Sequence, residues 1–269
     1  MRVRNLGEFL NICSFLIHRH YVERVVMEIS NKGLSLRLWI LGLSFFLLQI
    51  FPYIVFGFSY IPGIISIPDL IDLILYPFVI GLTLYSIFTF LVRKEDNAFL
   101  KYSFVSLLIL HVEEHGLHWA ANAIDVTMDH TVGVPTALHE YTYFLDEHLG
   151  HWLLFYALFG MLLYFLLIST VKDRDENIEN RWLVNQIIAF IFGFSLIIAG
   201  IEAQIPYETI SVGLIFLATP VVFLRQKLRE MFKKRCLTGY MFSTGLWIVI
   251  FAAIYWLLFH GFPQPSEWM

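Results

Sequence analysis

All 18 lysines and arginines of this chain fall in four stretches, and the long segments between those stretches are apolar. Residues 1–37 hold Arg2, Arg4, Arg19, Arg24, Lys32 and Arg37, and a second stretch holds Arg93, Lys94 and Lys101. The third holds Lys172, Arg174 and Arg181, and the fourth Arg225, Lys227, Arg229, Lys233, Lys234 and Arg235. A bilayer span needs about 20 apolar residues at roughly 1.5 Å of rise each. Seven segments qualify, at about 36–58, 70–92, 99–121, 149–171, 182–203, 208–224 and 237–260. With seven spans, every basic stretch lands on one face of the membrane; an even number would scatter them over both. Cationic loops stay in the cytoplasm. The expectation is therefore an all-α polytopic integral membrane protein, a seven-helix transmembrane bundle with its N-terminus inside and its C-terminus outside. The plasma (cytoplasmic) membrane is its expected location.

Composition agrees. The chain is 58% hydrophobic and only 15% charged, where soluble domains run near half and about a quarter. That excludes an ordinary soluble globule and a disordered chain. A net charge of −4 offers no basic footprint for nucleic acid. Cys13 and Cys236, both on the predicted inner side, cannot build a disulfide framework.

Three regions follow: an inner amphipathic segment, 1–34; a membrane domain, 35–262, with an outer loop at 123–145; and a short outer tail, 263–269. In the first, Leu6, Phe9, Leu10, Phe15, Tyr21 and Val25 alternate with Arg19, Glu23, Arg24 and Glu28, a pattern suited to a helix lying in the interface. The same charges break the apolar run that a signal peptide needs. Pro62 and Pro68 predict an outer turn, and Pro52, Pro77 and Pro220 predict kinks. Gly193 and Gly200 read as helix packing.

Eight of the ten histidines fall in the outer half of this arrangement, seven of them between His111 and His151. The same window carries Glu113, Glu114, Asp125, Asp129, Glu140, Asp146 and Glu147 and no lysine or arginine. Those carboxylates need another cation: a metal ion, or histidines that have taken up protons.

The third span ends HVEEHGLHWAAN, in which His111, His115, His118 and Asn122 share one helical face and Glu114 flanks it. The fourth begins DEHLGHW, residues 146–152, which repeats EEHGLHW, residues 113–119, with one acid exchanged and Gly-Leu reversed. Each copy gives Glu-His-x-x-His-Trp. One helix approaches the outer face and the other leaves it, so the copies lie at similar depth. Ionisable groups inside a membrane are costly and mark functional sites. Imidazole with carboxylate suits zinc, iron, manganese or copper, and opposed Glu and His on facing helices are how two-metal bundles are built. Trp119 and Trp152 suit the aromatic belt. Further outer polar residues are Asp69, Asp72, His130, His139, Glu202, Glu208 and His260; helix-end solvation, or for His260 a hydrogen bond between helices, accounts for most of them.

Partial likenesses to known families exist. His111-x-x-x-His115 resembles the first histidine box of membrane desaturases and hydroxylases, whose H-x-x-H-H boxes are absent. Seven spans with a histidine site resemble the ceramidase and adiponectin-receptor zinc hydrolases, without their Ser-x-x-x-His or their paired histidines on the last span. Glu113-Glu114 and Phe144-x-x-x-His148 resemble two of the three motifs of intramembrane CAAX-type proteases, and His111-Val-Glu-Glu-His115 fits the H-x-x-E-H string of inverted zinc peptidases. No likeness extends far enough to assign a family.

The functional expectation is a membrane metalloenzyme with one or two iron or zinc ions at the outer boundary. His111, His115, His118, His148 and His151 are the expected ligands, with Glu114 and Glu147 as ligands, bridges or general base. Apolar walls imply membrane lipids as neighbours and a lipid or isoprenoid-like substrate. Oxidation such as desaturation or hydroxylation is set slightly ahead of zinc hydrolysis, because the histidines outnumber the three that zinc needs. The alternatives are a metal-ion transporter, a haem-binding electron-transfer or sensor protein, and an acid–histidine network without metal.

Overall fold

The computed structural model describes residues 33–50, 60–61, 65–92, 97–129, 133–171, 182–224, 232 and 235–265. Within them α1 (Gly33–Phe45) runs into a π-helical turn, Phe46–Ile50. A two-residue antiparallel ladder of β1 (Tyr60–Ile61) and β2 (Ile65–Ser66) then leads into α2 (Ile67–Leu91). α3 (Ala98–Asp129) is followed by α4 (Thr136–Tyr143), a π-helical segment Phe144–Gly150, and α5 (His151–Val171). α6 (Trp182–Glu202), α7 (Pro206–Leu224) and α8 (Cys236–Phe259) complete the chain.

Among the described residues, five helical stretches are long and apolar enough to cross a membrane: Gly33–Ile50, Leu73–Leu91, Thr136–Thr170, Trp182–Glu202 and Cys236–Phe259. The chain is an integral membrane protein on that ground. α7 contains a shorter apolar stretch, Pro206–Val222. α3 is longer than any span requires, but its histidines and Glu113-Glu114 dilute its apolar character.

Side-chain contacts sort the helix ends into two groups. At one end the Arg37 Nε donates to Ser86 Oγ at 2.7 Å and its guanidinium lies over the Phe90 ring. Phe88 stacks on Phe104, and Tyr164 donates to the Leu100 carbonyl. Ser169 meets Thr238, and the Arg235 guanidinium reaches the Ser169 carbonyl. The start of α1, the end of α2, the start of α3, the end of α5 and the start of α8 therefore lie together. Arg37, Lys101 and Arg235, the described lysines and arginines, all belong to this basic end. A buried polar knot fastens it: Trp39 donates to Asn185 Oδ1 at 2.7 Å, and Asn185 Nδ2 meets Ser35 Oγ and Cys236 Sγ. Satisfying every polar group within the protein is what permits an asparagine in an apolar interior.

Between the ends the core is aromatic and aliphatic, with Phe45, Phe104, Phe165, Phe192, Phe216 and Tyr240 fully buried. α8 packs chiefly on α6 and α7, α3 on α5, and α1 bridges α2 and α6. The crossing of α7 and α8 is close because a Cβ on Gly213 would lie 2.9 Å from Ile248 Cγ2 and one on Gly245 2.8 Å from Phe216 Cβ. Gly193 meets the backbone of α8 and Gly200 meets Thr209, so both act in packing. Helices α2 and α7 run through Pro77 and Pro220.

One expectation is overturned. Of the stretch 123–145 read as a loop, the described residues are helical at 123–129 and 136–145 and non-helical at 133–135: α3 continues to Asp129, and helix resumes at Thr136. At roughly 1.5 Å per residue the 32 residues of α3 reach about 48 Å, past a hydrocarbon core of about 30 Å. Polar sequence signals solvent and not coil here, since beyond the bilayer a helix needs no apolar surround. The amphipathic segment up to residue 32, Pro52, Pro62, Cys13, His130 and most of the basic stretches lie outside the described residues, as do the side chains of Asp69, Asp72 and Asp129.

Candidate metal centre at the histidine end

The end opposite the basic residues gathers the histidines of α3 and α5 with the acids between them. His118 on α3 and His151 at the start of α5 face each other, their ring centroids 4.3 Å apart. His118 Nδ1 lies 2.7 Å from Asp146 Oδ1, and both side chains are largely buried. His151 Nδ1 lies 3.1 Å from the Glu147 carbonyl and 3.7 Å from Glu147 Oε2. A second pair, His139 of α4 and Asp125 of α3, meets at 2.9 Å and ties α4 to α3. Asp125, Asp146 and Glu202 all lie within electrostatic reach of Glu147. Several carboxylates thus converge where no described lysine or arginine is present, and the side chains that His118 and His139 meet are two of them, Asp146 and Asp125.

The π-helical segment sets this geometry. A turn closed from i to i+5 brings residues five apart onto one face. Asp146 and His151 are five apart, and both reach His118. The same turn takes His148 to other neighbours, the rings of Tyr143, five residues back, and Phe144. Histidines at i and i+3 share a face on an α-helix; on this wider turn His148 and His151 take different ring neighbours, while His148 stays within electrostatic reach of His151. Gly150 admits the neighbouring helix: a Cβ there would lie 3.1 Å from the Leu145 carbonyl and 3.2 Å from His118 Cβ.

Deeper along α3, His115 stacks on the buried Tyr76 ring of α2 at 4.7 Å, and fully buried His111 lies 3.3 Å from the Leu154 carbonyl through Nδ1. Glu114 keeps a buried Oε2 without a hydrogen-bond partner. His260 is exposed and closes α8 in the left-handed conformation, away from the cluster's contacts. Glu202 ends α6, where its carbonyl accepts from Gln264 at 2.7 Å, and Glu208 stands in the first turn of α7.

The structure therefore joins His118, His151 and Glu147 of the expected set, holds His111 and His115 buried along α3, and sets the His148 ring against Tyr143 and Phe144. Sequence reasoning passed over Asp146 as a member of the site, because α-helical spacing pairs His151 with Glu147 instead. It also gave no sign of Tyr76. As a ligand group the cluster is incomplete: among the described residues no three His, Cys, Asp or Glu side chains close on a common point. Its donor chemistry nonetheless fits a d-block cation. Two histidines, His111 and His151, turn Nδ1 toward a main-chain carbonyl, which is how metal-binding imidazoles are oriented from behind, and His118 and His139 approach carboxylates at 2.7 and 2.9 Å.

No family model matches this chain, and no curated protein or solved structure is similar to it at a significant level.

Proposed function

We propose that this protein is a seven-span membrane metalloenzyme, N-terminus inside and C-terminus outside, with its centre at the outer boundary of the plasma membrane. The facing imidazoles of His118 and His151, with the Asp146 carboxylate 2.7 Å from one and the Glu147 carbonyl 3.1 Å from the other, are the observation that carries the reading. Orientation rests on the basic end, since cationic loops stay in the cytoplasm. His118 and His151 would hold the metal, with Glu147, Glu114 or His115 completing the set as ligand or general base. When bound, iron would supply oxygen chemistry and zinc an activated water. The exposed apolar faces of α2 and α3, with Phe78 65% and Ile109 52% exposed, favour a lipid or isoprenoid-like substrate arriving from the bilayer. Oxidation stays slightly ahead of hydrolysis for the reason given above, the excess of histidines.

Transport is the weaker class. Toward the basic end from His111 the buried packing among the described residues is largely apolar, with Ile80, Leu84, Phe104, Leu158 and Phe165 around Thr83, which makes a poor path for an ion. A haem pair would require two axial imidazoles on opposite sides of a macrocycle, and ring centroids 4.3 Å apart leave no room for one.

Metal content by mass spectrometry tests the proposal on detergent-purified full chain, beside a His118→Ala/His151→Ala variant. About one equivalent of zinc or about two of iron, lost in the variant, is the expected result. Substoichiometric metal, unchanged in the variant and from metal-replete cells without chelator, overturns it and leaves an acid–histidine network as the reading.

A further inference from the structure

Two ring stacks join α2 to α3, Phe88 on Phe104 toward the basic end and Tyr76 on His115 toward the histidine end. Between them a groove of about 420 Å³ runs along the exposed side of the two helices. One wall is a stripe of α2 at helical spacing, Ile74, Phe78, Leu82 and Tyr85, each about half exposed or more. Pro77 and Gly81, one turn apart and less exposed, form the floor, and Leu108 and Val112 of α3 form the far wall. We propose that this groove is a binding site for one acyl chain of a membrane phospholipid, drawn from the leaflet at the histidine end.

The occupant follows from where the groove lies. α2 crosses the membrane over Leu73–Leu91, and the groove is continuous with apolar surface exposed at Leu75 and Ile109, so hydrocarbon is what reaches it. Its length suits one leaflet. From Ile74 to Tyr85 the helix rises about 16 Å at roughly 1.5 Å per residue, half of a hydrocarbon core of about 30 Å. Ile74 is the second residue of the apolar stretch, which sets that length on the histidine side. The floor is low because Gly81 is not spent on helix contact. A Cβ there would stand 3.8 Å from Leu108 Cδ1 and 3.9 Å from Val112 Cγ2, ordinary contact distances that leave room for alanine. At the α7–α8 crossing, by contrast, a Cβ on Gly213 or Gly245 would come under 3.0 Å from its neighbours. An apolar hollow holds no water, and left empty its lining forfeits dispersion contacts. A chain in the groove touches three surfaces where a convex helix offers one. Inside a bilayer such packing, and not hydrophobic transfer, separates a held chain from a passing one. Tyr76 directly precedes Pro77, so the upper end of the groove passes the Tyr76–His115 stack and the lipid head reaches the level of the histidines. The site needs neither the metal nor the activity proposed above.

The test uses full-length protein in phosphatidylcholine nanodiscs carrying a trace of the same lipid with a diazirine in mid-chain. After illumination, labelled residues are mapped by mass spectrometry. Labelling should concentrate at Phe78, Leu82, Leu108 and Val112, above that at Leu214 of α7, which is 51% exposed and lies outside the groove. Gly81→Phe fills the floor and should abolish that excess while leaving Leu214 labelling unchanged; Gly81→Ala should keep most of it. Leu108→Trp fills the groove from the other wall and serves if Gly81→Phe fails to give a monodisperse helical protein. Labelling of the groove no higher than at Leu214, or an excess that survives both filling variants, makes it an ordinary lipid-contact surface and overturns the proposal. Groove residues shielded from lipid and cross-linked between protomers would assign the face to a second copy, which also overturns it. The excess should persist in the His118→Ala/His151→Ala variant, so loss of the metal reading and loss of this one are read separately.

Discussion

A methyl group added at Gly150 would meet the Leu145 carbonyl at 3.1 Å and the backbone of His118 at 3.3 Å. Neither contact is the end of a flexible side chain, so the helices must part. Gly150→Ala should cost about 1–3 kcal/mol, as overpacking does, and spread the His118–His151 pair. Gly116, its counterpart in the repeated heptapeptide, has open space around the same position. Gly116→Ala should leave the pair intact and add about 0.5–1 kcal/mol through helix propensity. Chemical unfolding in micelles measures both, and equal effects would refute the asymmetry. The repeat differs between its copies at two places, and both matter. The exchanged acid is Asp146, which is buried against His118, where Glu113 is exposed. The reversed Gly-Leu puts glycine at the helix contact in one copy and away from it in the other. Those two departures were the legible sign of Asp146 in the sequence, and identity of the motif drew attention from them.

At the scale of the element, the helices of the basic end are joined by one asparagine. Asn185 of α6 ties Trp39 and Ser35 of α1 to Cys236 of α8. Asn185→Ala should lower stability by about 0.6–1.7 kcal/mol, the range of interhelical hydrogen bonds in membranes, with unfolding midpoints in micelles as the measure. An unchanged midpoint would mean the knot is incidental. Helix positions were readable along the chain because apolar length is a property of local sequence. The extension of α3 to Asp129 and the helix Thr136–Tyr143 were not, because polar residues outside a bilayer fit helix and coil alike. Nor was the π-helical segment Phe144–Gly150, whose wider turn depends on packing against α3. That segment brings Asp146 beside His118 and turns the His148 ring to Tyr143 and Phe144.

Over the whole molecule the division into a basic and a histidine end makes topology testable. In a Cys13→Ser background, with the remaining Cys236 buried, Ala137→Cys should label from outside intact cells. Ala98→Cys, exposed at the basic end, should label only after permeabilisation. The reverse pattern would invert the orientation proposed here. The sequence by itself determined the membrane class, the helical segments and the partition of charge, because each depends on composition over a stretch of about 20 residues. It also showed that histidines and acids share one end. Which of them meet was decided only by tertiary structure. The pairing of His118 with Asp146 and His151 depends on the register of a π-helical turn and on a glycine that lets two helices close. Those are relations between segments some 30 residues apart, and no local pattern encodes them.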